Sequence, residues 1–109
     1  MKIAISAAAS ALLREVLERA GADRNRILLT GVQSVDWQSL TFTGERHRIL
    51  LRIPGPDADE VACRITAGLE DAEFHIRGHV VADILLASPT QRDSDGSVSV
   101  VLEALTIAS

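Results

Sequence analysis

Residues 74–86 read FHIRGHVVADILL. Phe74, Ile76, Val80, Ala82, Ile84 and Leu86 share one parity, with Gly78 among them, while His75, Arg77, His79 and Asp83 take the other. Successive side chains of a strand point to opposite faces, so this period of two predicts one long, half-buried strand. A polar connection follows from Pro89 to Ser97, containing the turn signal Asp95-Gly96. Val98 to Ile107 then reads as the partner strand, with Val98, Val100, Leu102 and Ala104 on the core parity.

Upstream, Leu12, Leu13, Val16, Leu17 and Ala20 recur at helical spacing, with Arg14, Glu15, Glu18 and Arg19 opposite them. Ser6 can cap the start and Gly21 the end, so helix one is expected over Ala7 to Ala20. Ile3 and Ile5 hint at a short strand before it. Ile27 to Val35 reads as a strand and Asp36 to Ser39 as a turn. Leu40 and Phe42 alternate with Thr41 and Thr43 as the next strand. Ile49, Leu51 and Ile53 alternate as well, but on the opposite parity to Phe42. A strand changes parity only by inserting a residue or turning back. Thr43 to Arg46 is therefore either a hairpin turn or a glycine bulge. Pro54-Gly55-Pro56 ends that run. Asp57 and Glu60 have capping-box spacing, and Val61, Ala62, Ile65 and Leu69 make an apolar face, so helix two is expected over Ala58 to Glu70. Leu40-x-Phe42-x-Gly44 faintly echoes Phe74-x-Ile76-x-Gly78, although two short matches do not establish a repeat.

Two amphipathic helices need an apolar surface, and the strands supply one. The expected fold class is α+β: a two-layer sandwich, with an antiparallel sheet and two helices packed on one face, in the order (β)-α-β-β-α-β-β. At 109 residues, positions 1–109 form a single domain. The chain is 47% apolar but only 3% aromatic, so its core must be aliphatic. The net charge of −4 argues against duplex nucleic acid as a partner, since that requires a basic surface to displace counterions. No apolar run reaches the ~20 residues needed to cross a bilayer. The weak likeness of Ile3 to Leu13 to a signal peptide is outweighed by its continuation into helix one. With Cys63 as the single cysteine there is no intrachain disulfide, which suits the cytoplasm.

His75, His79 and Asp83 have metal-ligand spacing on a helix. On a strand, however, His75 and His79 stand roughly 13 Å apart, whereas imidazole ligands sit within about 2.1 Å of a shared metal. No metal or cofactor is expected. Arg92 to Gly96 contains D-x-D-G without the remaining ligands of a calcium loop, and reads as a turn. Cys63 reads as a small buried hydrophobe. There is no G-x-S-x-G elbow and no phosphate-binding glycine loop. Met1 to Ser6, Ala11 to Leu13 and Ile27 to Gly31 together resemble the opening of JAB/MPN-type metalloproteases, over less than a third of the chain. That family's zinc site implies an H-x-H pair followed by Ser-x-x-Asp. No histidine pair here has that spacing, so no catalytic residue is carried over.

Two functions compete. The first is a non-enzymatic interaction module acting as a homodimer, burying the outward residues Val81, Leu85, Val101 and Leu105. The second is a small-ligand or anion-binding protein, which could be an enzyme, using a sheet face lined by Arg46, Arg48, Arg52, His75, Arg77 and His79. The arrangement of these arginines and histidines, gathered or scattered, separates the two.

Overall fold

A computed structural model describes residues 5–109, so the expected first strand begins outside the described residues; Ile5 itself is exposed and not in a strand. Helix α1 runs Ala7–Arg19, its start capped by Ser6, whose Oγ accepts the Ala9 N–H at 3.1 Å. Strands β1 (Leu28–Gln38) and β2 (Thr43–Ile53) follow, then helix α2 (Ala58–Thr66). The chain ends in β3 (His75–Ile76), β4 (His79–Leu86), β5 (Gln91–Arg92) and β6 (Val98–Ala108). The strands form one antiparallel sheet in the order β1-β2-β6-β4-β3, with β5 also pairing with β6. Leu12, Leu13, Val16 and Leu17 of α1 and Val61, Ala62 and Ile65 of α2 pack with Ile49, Leu51, Ile53, Val98, Val100, Leu102 and Ile84 of the sheet in one aliphatic core. The domain is thus the expected α+β arrangement with its helices on one face.

Several boundaries differ from the sequence reading. The first hairpin turns at Ser39–Phe42, where the Ser39 N–H donates to the Phe42 carbonyl at 2.9 Å and the Phe42 N–H donates to Ser39 Oγ at 3.1 Å. Leu40 and Phe42 belong to this turn and are exposed. Thr43 to Arg46 is neither turn nor bulge but the start of β2, and the bulge in this hairpin lies between Leu29 and Gly31. Gly44 is needed for close approach: a Cβ there would overlap the Thr106 carbonyl oxygen of β6.

Helix α2 is shorter than expected, and Asp57 does not cap it with its side chain. That carboxylate is held instead by the Arg26 guanidinium, Nη1 to Oδ2 at 2.8 Å, which lowers its pKa to about 2. Gly68, at φ +65°, redirects the chain, and a 3-10 turn over Leu69–Asp71 still delivers Leu69 to the core. Cys63 is exposed, because the buried positions of α2 are 58, 61, 62 and 65 and position 63 falls outside that face.

The largest correction concerns residues 74–86. They form two strands, β3 and β4, joined by a two-residue turn with Gly78 at φ +80°. Ile76 pairs with His79, and His75 with Val80. A bulge between Val81 and Asp83 then shifts the register of β4. Because the turn pairs His79 with the buried Ile76, the residues before this bulge are inverted, and Val80 is 54% exposed while Val81 packs against the core. Beyond the bulge Ile84 returns to the core parity and is buried.

Candidate functional site

Directly paired residues of neighbouring strands share a face, so the register assigns every side chain to the helix-covered side or to the open side. Ile49 and Leu102 are paired and lie in the core. The residues that alternate with them, Arg46, Arg48, Leu50 and Arg52 of β2, and Val101, Glu103, Leu105 and Ile107 of β6, therefore stand on the open face. The pairing arranges them in rows. One row runs Gln33, Arg48, Glu103, Leu85, the next Val35, Arg46, Leu105, Asp83, and the next Trp37, Gly44, Ile107, Val80. Leu50, Leu85, Val101, Leu105 and Ile107 are half-buried, and Val35 and Val80 more exposed. Among the described residues no helix or strand lies across this face.

Two of its three arginines are engaged. Arg48 Nη1 lies 2.8 Å from Glu103 Oε1. Arg52 donates through Nε to Ser97 Oγ at 2.9 Å and pairs with Asp95. Asp95 is held below the usual carboxylate range, first by hydrogen bonds from Ser97 and then by Arg52. Arg46 is exposed, and among the described residues it has no ion pair; the same holds for Asp83. Both border a shallow depression of about 250 Å³, with Arg48, Glu103 and Leu85.

The six residues expected to share an anion site are spread out. Arg46 and Arg48 border the depression, and Arg52 is tied to the loop before β6. His75, Arg77 and His79 surround a separate groove at the β3–β4 hairpin. Arg52 pairs with Ser99 and His79 with Ala108, nine residues apart on β6 by subtraction, which is about 30 Å along a strand. His75 and His79 also face opposite sides of the sheet, since only His79 pairs with the buried Ile76. Of the expected interface residues, Leu85, Val101 and Leu105 stand on the open face. Val81 does not, because the register of the β3–β4 hairpin, offset only by the bulge that follows, places it inward. The D-x-D-G segment is a turn with Gly96 at φ +87°, its Asp93 carboxylate accepting from Ser97 and Ser99.

One polar cluster escaped the sequence reading. His47, 2% exposed, lies on the helix-covered face with Nδ1 2.7 Å from Ser34 Oγ and Nε2 2.8 Å from Thr106 Oγ1. It thereby links β1, β2 and β6 where the aliphatic core ends. A neutral imidazole has one donor and one acceptor nitrogen, so one hydroxyl receives and the other gives a proton in these bonds. The signal was present in the sequence, since His47 shares the parity of Ile49, Leu51 and Ile53 and Thr106 that of Leu102 and Ala104. No model of a known protein family matches the chain and no curated protein is significantly similar to it, so the likeness of its opening to metalloproteases has no further support.

Proposed function

We propose that the protein is an interaction module that assembles as a homodimer through the open face of its sheet. The supporting observation is that Val35, Leu50, Leu85, Val101 and Leu105, interspersed with charged side chains, are covered by nothing among the described residues, on a domain whose other sheet face is sealed by α1 and α2. Several large apolar side chains exposed on one face of a small domain mark an interaction site. The rival anion site is less well supported, because its arginines and histidines occupy three places and two of the arginines are neutralised by acids. A cytoplasmic setting fits a chain whose one cysteine is exposed on α2, and a net charge of −4 favours a protein partner over duplex nucleic acid.

Sedimentation equilibrium tests the reading. The dimer is expected at roughly 100 μM, above the micromolar dissociation constants of ordinary specific complexes. Leu105→Glu places a charge in the contact and should leave a monomer with an unchanged circular dichroism spectrum. A wild-type chain that stays monomeric at that concentration rejects the proposal.

A further inference from the structure

The row Val35, Arg46, Leu105, Asp83 places an exposed cation on one side of β6 and an exposed anion on the other, with a half-buried leucine between them. Resting on the dimer reading above, we propose that the two-fold axis runs along β6, so that Arg46 of each copy pairs with Asp83 of the other and Leu105 meets Leu105.

Symmetry and charge select this axis. A two-fold axis between stacked sheets can run along the strands or across them. Across the strands, β2 would lie over the reversed β2 of the second copy, bringing two arginine-bearing strands together, and an axis through the Arg46 row would set Arg46 against Arg46 and Asp83 against Asp83. Along β6, rotation reverses the strand order while keeping position along each strand, which lays β2 over β4. Arg46 then stands above Asp83 in the same row, on both sides of the axis. In the adjoining row Glu103 lies on the axis and meets Glu103 of the second copy, each already neutralised by its own Arg48. Sheets stack about 10 Å apart, and their twist sets the strands of the two layers at about 30°, which concentrates contact near the axis. That is where Leu105 and its two free charges stand. An axis normal to the sheet would join the copies through the β1 edge and leave the apolar face uncovered.

Charge exchange tests the arrangement. Arg46 and Asp83 are exposed, so Arg46→Glu and Asp83→Arg should retain the wild-type far-ultraviolet spectrum. Each alone brings like charges together twice per dimer, which should raise the dissociation constant about 100-fold or more by sedimentation equilibrium. The Arg46→Glu/Asp83→Arg double variant should return to within about tenfold of wild type. Mixing the two single variants should also restore association. On one side of the axis the introduced glutamate then meets the introduced arginine, and on the other the native Arg46 meets the native Asp83. Single variants that dimerise like wild type, while Leu105→Glu still dissociates, would overturn this axis and leave the face-to-face dimer standing. A dimer indifferent to Leu105→Glu as well points to the β1 edge and overturns both, as does a monomeric wild type.

Discussion

His47 occupies a buried position on β2 in line with Ile49, Leu51 and Ile53, and its chemistry follows from that burial. Desolvation lowers its pKa from the ordinary 6.5, the positive charge available to His79 lowers it further, and Glu45 opposes both. Among the described residues, the other polar groups bonded to the ring are the hydroxyls of Ser34 and Thr106. The folded chain therefore favours the neutral imidazole, while the unfolded chain takes a proton near pH 6.5. Stability from this residue is complete above that pH. It declines as the pH falls toward the lower folded pKa, and the decline then levels off. The midpoint of urea unfolding should accordingly fall between about pH 7 and pH 5. His47→Gln keeps a donor and an acceptor but does not titrate, so its profile should be flatter over that range. An equal slope in the variant would remove His47 as the cause. The alternation of His47 with Ile49 and Leu51 was visible in the sequence. The hydroxyls that make burial tolerable come from strands 13 and 59 residues away, and those pairings were not.

At the scale of elements, α1 was legible almost to its ends because a helical stripe, a serine cap and a following glycine all agreed. The β6 pattern was legible for the same reason: its core parity, Val98 to Thr106, is buried at every second position. Segment 74–86 misled because two corrections nearly cancel. The Gly78 turn reverses the chain, and the bulge after Val81 shifts the parity back, so Ile76 and Ile84 both reach the core as a straight strand would have them. Between the two events the alternation is inverted. Leu40 and Phe42 misled differently, since β-favouring residues can occupy a turn when Ser39 supplies its hydrogen bonds. Paired truncations distinguish a bulged β4 from a regular strand. Ile84→Ala should cost about 2–5 kcal/mol in chemical denaturation, as core truncations do. Val80→Ala, on the open face, should leave the monomer within about 0.5 kcal/mol, as surface changes do. Comparable losses at both sites would restore the single straight strand.

For the whole molecule, the fold leaves an imbalance between its two sheet faces. One is closed by α1 and α2 over Ile49, Leu51, Val100 and Leu102, while the other presents Leu50, Val101, Leu105 and Leu85 beside paired and unpaired charges. The outward parity of Leu85, Val101 and Leu105 was legible because nothing interrupts the alternation of β4 after Ile84 or that of β6. The sequence could not show that Arg46 and Asp83 flank Leu105, since that row depends on the non-local pairing of β6 with both β2 and β4. If a second copy covers the open face, association and folding are linked, and mass action favours the folded dimer at high concentration. The midpoint of thermal unfolding should then rise as the protein is concentrated from about 1 to about 100 μM, a range that brackets micromolar dissociation. Leu105→Glu should abolish that dependence and hold the midpoint constant across the range, because its monomer has no association to link. A wild-type midpoint independent of concentration would mean that the open face stays wet when the chain is folded, and would return the depression beside Arg46 and Arg48 to consideration as the functional site.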